Sequence, residues 1–245
     1  MDFSRQMTVF DPGKFKEPVH VRGCGATGSW LAVMLAKLGV QDLHLHDFDI
    51  IEEHNLPNQL FYAYTDIPYG GGETDTYSDG QVGVNKALAA SDIVKWFGDV
   101  DAKVHKEAVT EATPLSGIVF MLTDTMKSRK DIYLGQLRRN ENVKLLVETR
   151  MCLEGGRVYA IDPCSRVEAR EYERTLYTDE ESVVSACGIS QSLAPTAAIL
   201  AGYAVWQMLK WHNSEELDSE IILDARNMVL LSRGFATKIE DSEEE

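Results

Sequence analysis

The sequence predicts an α/β fold, built as a doubly wound, mostly parallel sheet with a C-terminal antiparallel extension. Strand and helix patterns alternate over roughly the first 150 residues, which is typical of parallel sheets with helices on both faces. A glycine-rich turn joins the first strand to the first helix. Later strand patterns, between residues 156 and 232, flank a single Ala-rich helix and are the basis for the antiparallel extension.

The elements follow from the residue patterns in order. A β-rich run at 18–22 precedes the glycine turn, and residues 29–39 predict a helix that ends at Gly39. Residues 42–47 alternate, with leucines on one face and His44 and His46 on the other, which predicts a strand. Similar patterns predict helices over 84–97, 128–139 and 190–208, and strands over 118–123, 144–149, 156–161, 220–224 and 227–232.

We expect one domain over residues 1–235. Residues 64–80 are rich in glycine and lack periodicity, which predicts a long loop, and loops of that length are usually functional or mobile. The like-charged residues near the C-terminus predict a disordered acidic tail over 236–245.

Composition excludes several classes of protein. The chain has 24 basic and 39 acidic residues, a net charge of −15, which argues against binding to a nucleic-acid backbone. It has no signal-like N-terminus and no apolar run suited to a membrane span, so we expect no membrane partner. The four cysteines are scattered without a C-x-x-C pair, which predicts a reducing, cytoplasmic location and no zinc ribbon.

The glycine turn carries the first functional signal. Gly23, Gly25 and Gly28 form G-x-G-x-x-G between a predicted strand and helix; the first permits the turn, the second lets the backbone approach phosphate, and the third lets helix pack on strand. Asp47 ends the next strand, where a carboxylate can bond a ribose hydroxyl. The pattern predicts a Rossmann-like nucleotide site. A turn used only for packing is the alternative, and NAD, FAD, S-adenosylmethionine and ATP all remain open.

Polar residues cluster where a ligand of this fold binds. Doubly wound sheets bind ligands beyond the carboxyl ends of their strands, and five such side chains follow the second strand. They are Asp47, Asp49, Asn55, Asn58 and Gln59. Lys86 lies at a predicted helix start, where it could grip a triphosphate. Asp124 follows a predicted strand and is placed to hold Mg²⁺.

Together these motifs resemble the ThiF/MoeB branch of the ubiquitin-activating enzyme superfamily, over roughly residues 3–232. The matching features are an N-terminal arm, the glycine turn, a D-x-D with an N-L-x-R-Q-like segment, a G-x-x-K segment and a T-D strand end followed by an arginine. In this sequence they are Ser4-Arg5-Gln6, Gly23–Gly28, Asp47-Phe48-Asp49 with Asn55-Leu56 and Gln59, Gly83–Lys86, and Thr123-Asp124 with Arg129.

The resemblance implies ATP- and Mg²⁺-dependent adenylation of the C-terminal carboxylate of a ubiquitin-like or sulfur-carrier protein. It also implies a homodimer, because Arg5 would reach the ATP of the partner subunit. The implied roles are phosphate contacts from Gly25, Gly28, Asn55, Gln59 and Lys86, a ribose contact from Asp47, and Mg²⁺ coordination by Asp124.

The sequence departs from the family pattern at two places. Asn58 stands where the family has the arginine of N-L-x-R-Q, so either Arg5, Arg22 or another cation compensates, or activity is reduced. A degenerate protein that only binds ATP and a partner is therefore an alternative. The family's paired zinc cysteines are absent, so we expect no structural zinc. An NAD-dependent oxidoreductase would explain the turn but leaves Lys86 and Asp124 without a role.

Cysteine and histidine patterns leave two further questions. Cys187 precedes Pro195 and the Ala-rich helix at the family's spacing, which implies a possible acyl acceptor; a buried residue at a helix start is the alternative. Acidic neighbours would raise the pKa of this thiol. His44 and His46 share a strand face and could bind a metal, but no third ligand follows at a recognisable interval, so no metal is predicted there.

Overall fold

A computed structural model describes residues 1–62, 80–107, 113–177 and 192–235 of the chain. The strands are β1 (Val19–Arg22), β2 (Leu43–His46), β3 (Lys103–His105), β4 (Gly117–Met121), β5 (Val143–Cys152), β6 (Gly155–Ile161), β7 (Glu220–Asp224) and β8 (Val229–Arg233). The helices are α1 (Ala26–Leu38), α2 (Lys86–Gly98), α3 (Met126–Ile132), α4 (Arg166–Glu173) and α5 (Ala194–His212). A 3-10 helix covers Glu53–Asn55, and a π-helical turn covers Tyr133–Leu137.

The strands form one eight-stranded sheet in the order β3-β2-β1-β4-β5-β6-β7-β8. Strands β3, β2, β1, β4 and β5 run parallel, and β5 through β8 pair antiparallel. The predicted fold class is therefore confirmed. Because β1 lies between β2 and β4, the strand order reverses there, and this is the position where doubly wound sheets bind ligands.

Each face of the sheet has its own apolar core, because successive side chains of a strand point to opposite faces. On the first face, β1 and β2 pack through alternate residues against α1, α2 and α5. On the second face, β4, β5 and β6 pack against α3, the π-helical turn and α4. The first core includes Val19, Val21, Leu43, Leu45, Leu31 and Leu35, and the second includes Val119, Met121, Tyr133, Tyr159 and Tyr172.

Two short elements escaped prediction. Strand β3 has only three residues and is partly exposed, so it offers too little periodicity to detect. Helix α4 buries only Ala169 and Tyr172 and is otherwise polar. Strand β5 also runs beyond the predicted residue 149, because its last residues pair with β6 in a hairpin.

Several expectations lie largely or wholly outside the described residues. The loop predicted over 64–80 is described only at its final residue, and the acidic tail over 236–245 is not described. The single-domain boundary stays a prediction. In the described part of the chain, no helix has the length and apolar character needed to cross a lipid bilayer.

Candidate functional site

The glycine turn is held in place by very close packing. Gly23 has φ +101°, in the left-handed region that favours glycine, and a Cβ there would lie 2.8 Å from the carbonyl oxygen of Leu122. A Cβ on Gly28 would collide with the carbonyl oxygen of Gly23. At Gly25, by contrast, the nearest described atom to such a Cβ is Gln59 Nε2 at 3.9 Å. The turn is therefore tight against the end of β4, while a Cβ on its middle glycine would make only an ordinary contact with Gln59.

The amino end of α1 is suited to an anion. Gly25 is the N-cap and supplies no side-chain hydrogen bond to the helix. The Ser29 N–H makes the first intrahelical bond, to the Gly25 carbonyl oxygen at 3.0 Å. The N–H groups of residues 26–28 therefore point out of the helix end, where the dipole of this 13-residue helix also favours negative charge.

Asp47 fastens the turn to the end of β2. Its Oδ2 accepts the Cys24 N–H at 2.7 Å, and its Oδ1 accepts the Asp49 N–H at 2.9 Å. Burial raises the pKa of Asp47, although both N–H donors oppose that shift. Because a carboxylate offers about four acceptor positions, Asp47 can make these bonds and still accept from a ribose hydroxyl.

Lys86 and Asp49 form an ion pair at the start of α2. Lys86 Nζ lies 3.1 Å from Asp49 Oδ2, with 12% of the lysine side chain and 50% of the aspartate side chain exposed. Asn85 supports this pair, because its Nδ2 donates to the carbonyl oxygens of Asp47 at 2.9 Å and Asp49 at 3.1 Å. Asn85 was not predicted as a site residue. The feature of the sequence that could have identified it is an N-cap residue type directly before a predicted helix.

The segment after the 3-10 helix packs against the start of α1. The Leu60 N–H donates to Ser29 Oγ at 3.0 Å. Asn55 is engaged locally, since its Oδ1 accepts the Glu52 N–H at 3.0 Å. Asn58 Nδ2 donates to Ser192 Oγ, which ties this segment to the residues preceding α5.

Three buried polar atoms around the turn have no hydrogen-bond partner in the described part of the chain. They are Asn58 Oδ1, Gln59 Oε1 and Thr123 Oγ1. Gln59 lies beside Gly25, and the backbone of Thr123 lies beside Gly23. Buried polar atoms are rarely left without a partner. Two of them beside one glycine turn, with the third on the residue before Gln59, therefore fit a polar ligand that supplies the missing hydrogen bonds.

Asp124 lies beyond the carboxyl end of β4, at the same edge as the turn, and is exposed. Thr123, the residue before it, is held in place because Arg129 Nε donates to the Thr123 carbonyl oxygen at 2.9 Å. Arg129 is itself buried and lies 3.2 Å from Glu148 Oε1. An exposed carboxylate at this edge, next to a backbone segment held by Arg129, suits a divalent cation with oxygen ligands.

Two candidate cations are placed differently with respect to the turn. Arg5 lies in the N-terminal arm, where the neighbouring Gln6 Nε2 donates to the Leu38 carbonyl oxygen at 2.7 Å. Leu38 ends α1, about 20 Å from the turn at 1.5 Å per residue, so the predicted role of Arg5 requires a second copy and stays a prediction. Arg22 points to the second face of the sheet, where its Nη1 donates to Gln136 Oε1 at 3.2 Å.

The cysteines divide by position. Cys187 lies outside the described residues, so its role stays a prediction. Cys24, inside the turn, is fully buried, and burial raises the pKa of its thiol well above the ordinary value. Cys24 therefore fills space as a neutral thiol, in agreement with a structural role.

A model of the ThiF family matches residues 14–230 of the chain. Ubiquitin-like modifier-activating enzyme 5 from Caenorhabditis briggsae is 28% identical over 219 residues, covering 79% of this chain and 45% of that protein. The chain thus spans less than half the length of this relative.

Solved structures of low identity share the fold. E. coli MccB crystallised with AMPCPP and MccA has a TM-score of 0.65 and 15% identity, covering 92% of this chain and 65% of MccB. MccB with ATP gives the same TM-score and identity, over 96% and 69%. PaaA has a TM-score of 0.63 and 18% identity, over 90% and 73%.

Proposed function

The chain belongs to the ThiF family, and on that premise we propose that it uses ATP to adenylate the C-terminal carboxylate of a ubiquitin-like protein, sulfur-carrier protein or peptide. The observation that carries this proposal is the glycine turn surrounded by unpartnered buried polar atoms at the point of strand reversal. A relative named for activating a ubiquitin-like modifier, and the ATP and MccA in the MccB structures, support the same reaction class.

The proposed reaction is a substitution at phosphorus. A carboxylate oxygen of the substrate bonds to the α-phosphorus of ATP, the bond from that phosphorus to the β-phosphate bridging oxygen breaks, and pyrophosphate leaves. The carboxylate is ionised at neutral pH, so no general base is needed. Catalysis then depends on alignment and on neutralising the charge of the triphosphate.

Residues of this chain are suited to those two tasks. The amino end of α1 and the open side of Gly25 would receive phosphate oxygens, and Asp47 would accept from the ribose. Lys86 would exchange its partner Asp49 for a phosphate oxygen. Asp124 would hold Mg²⁺, which when bound would supply positive charge that offsets the charge of the triphosphate.

A second candidate is a protein that binds ATP and a partner without catalysing the reaction. The observation that favours it is Asn58, which replaces the family's arginine and is hydrogen-bonded to Ser192. Losing one charge-stabilising donor costs roughly 10²–10³ in rate in a characterised enzyme. Acyl transfer to Cys187, and action of Arg5 across a homodimer, belong to the first candidate as further proposals.

The first test is ligand-induced thermal stabilisation with ATP–Mg²⁺ and, separately, with NAD. A ligand at 100 times its dissociation constant adds about 2.7 kcal/mol, or roughly 5–10 °C for a chain of this length. We expect a shift with ATP–Mg²⁺ that is reduced in Lys86→Ala and Asp124→Asn. Matched controls are Lys95→Ala at the far end of α2 and Asp131→Asn in α3, both exposed ion-pair residues, which should keep the shift.

The outcomes separate the candidates. A shift in melting temperature with NAD but not with ATP–Mg²⁺ contradicts the proposal that the nucleotide is ATP, and favours an oxidoreductase. An ATP shift accompanied by pyrophosphate release when a ubiquitin-like protein or peptide is added supports adenylation. An ATP shift without pyrophosphate release across such substrates supports the binding-only candidate.

A further inference from the structure

Four histidines gather on the second face of the sheet, away from the glycine turn and the α1 side. Parallel register places His20 of β1 opposite His44 of β2, and His46 of β2 opposite His105 of β3. Each opposed pair is stacked, with ring centroids 4.3 Å and 4.1 Å apart. His20 and His46 lie diagonally across the strands, as do His44 and His105, and each of these pairs approaches through its ring nitrogens. No third ligand for His44 and His46 follows at a recognisable interval in the sequence, but His20 on the neighbouring strand β1 supplies one.

The spacing of the ring nitrogens suits a single metal ion. His20 Nδ1 and His46 Nε2 are 3.1 Å apart. Two nitrogens bound to tetrahedral Zn²⁺ at about 2.05 Å would be ~3.3 Å apart. One nitrogen from each of His20, His44 and His46 lies within 4.8 Å of the other two, so small ring movements would bring three nitrogens onto one ion.

Burial favours the form of the rings that binds metal. A metal ligand must be a neutral imidazole with a free lone pair, and His20 and His46 are both buried, which disfavours the charged form. His46 is 3% exposed, and its Nδ1 has no hydrogen-bond partner in the described residues. The hydrogen bonds within the cluster therefore leave His46 only partly satisfied.

The surroundings supply an outer partner and access. His44 Nε2 lies 3.2 Å from Asp42 Oδ1, which matches the carboxylate–histidine arrangement that orients metal-binding imidazoles. Lys103 pairs with the same carboxylate at 2.7 Å, and Arg22 extends to Gln136. His44 keeps 15% of its side chain exposed, so the cluster can be reached from solvent.

We propose that His20, His44 and His46 bind one divalent transition-metal ion of the zinc type, which cross-links β1 to β2. Imidazole nitrogens suit Zn²⁺, Ni²⁺ and Co²⁺, whereas Mg²⁺ prefers oxygen ligands. The site is therefore chemically distinct from the one proposed around Asp124. The His20–His46 hydrogen bond needs a proton on His20 Nδ1 or on His46 Nε2, and on metal binding that proton moves to the other nitrogen of the same ring, so that none is released. His44, whose Nε2 faces Asp42, would bind through Nδ1 and give up its contact with His105 Nε2.

The test uses untagged full-length protein, stripped of metal with a chelator and then titrated with Co²⁺ and with Zn²⁺. We expect one equivalent of Co²⁺ to bind with a visible absorption band of nitrogen-ligated, low-coordinate cobalt, and Zn²⁺ to displace it. His46→Gln and His44→Gln should weaken binding by more than about 100-fold, since losing an outer-shell partner alone costs roughly 10–100-fold.

Two variants serve as controls. His54→Gln removes an exposed histidine outside the cluster, and Asp124→Asn removes the carboxylate of the other site; both should leave the cobalt spectrum unchanged. Because His44 is the least buried of the three ligands, its variant guards against loss of fold in His46→Gln, which circular dichroism would reveal. The proposal is overturned if the wild-type protein takes up no stoichiometric Co²⁺ or Zn²⁺, or if His44→Gln binds the metal equally well. The histidines would then form only a hydrogen-bonded stack of rings.

Discussion

Glu148 is the residue whose neutralisation should cost the most stability in the described structure. Its carboxylate is fully buried in β5. Arg150 donates to both of its oxygens, at 2.7 and 2.9 Å, Arg129 lies 3.2 Å away, and the Tyr172 hydroxyl donates at 2.5 Å. Burial, reinforced by this carboxylate, raises the pKa of Tyr172 well above its ordinary value, so the hydroxyl remains a donor. One negative charge therefore satisfies two buried guanidinium groups.

Glu148→Gln keeps the size of the side chain but removes that charge. Removing one partner of a buried ion pair costs about 3–5 kcal/mol, because the other charge is left buried and uncompensated. Here two arginines with only 8% of their side chains exposed lose their counter-charge, so we expect the upper part of that range. For a chain of this length a loss of about 4–5 kcal/mol would lower the melting temperature by about 8–20 °C.

The assay is urea and thermal unfolding followed by circular dichroism. Glu171→Gln is the matched control, because Glu171 pairs with Arg174 on the surface and its loss should change stability by less than about 0.5 kcal/mol. A second readout follows from Arg129, which anchors the Thr123 carbonyl. Loosening it should also reduce thermal stabilisation by ATP–Mg²⁺. A stability loss below about 1 kcal/mol for Glu148→Gln would refute the argument that this carboxylate holds both arginines.

Two further substitutions test the glycine turn and its support. Gly28→Ala should destabilise the protein and abolish stabilisation by ATP, because its Cβ would collide with the Gly23 carbonyl oxygen; Gly202→Ala, with open space around it in α5, should retain both properties. Asn85→Ala removes the cap that accepts the Leu88 N–H at 3.1 Å, so unfolding free energy should fall by about 1 kcal/mol. An Asn85→Ala protein with unchanged urea midpoint and unchanged ATP response would contradict its supporting role.

The prediction of the fold succeeded where local pattern is strong. The alternation over β2 and the glycine turn between β1 and α1 are visible within a few residues, and both elements are confirmed. Strand β3 and helix α4 were not predicted, because their few buried residues give no clear hydrophobic periodicity. The ends of β5 were also missed, since a hairpin partner rather than local propensity extends that strand.

The residues of the candidate site were likewise predicted only in part. Asp47, Asp49, Lys86 and the glycines were predicted as neighbours, and the structure brings them to one edge through contacts between adjacent strand and helix ends. Asn85 could be read as a helix cap but not as the residue that binds two carbonyl oxygens of the preceding strand. These bonds depend on how α2 is placed against β2.

By itself, the sequence determined the alternation of strands and helices, the glycine turn and the acidic residue after β2, because each depends on residues close together in the chain. Only the tertiary structure decided the ring neighbours of His20, which come from β2, and the approach of Arg129 to the pair formed by Glu148 and Arg150. Strand register brings His20 beside His44, which is distant in the chain, and the packing of α3 brings Arg129 to Glu148. Local periodicity specifies which face a side chain occupies, but the strand that lies beside it is set by the packing of the whole sheet.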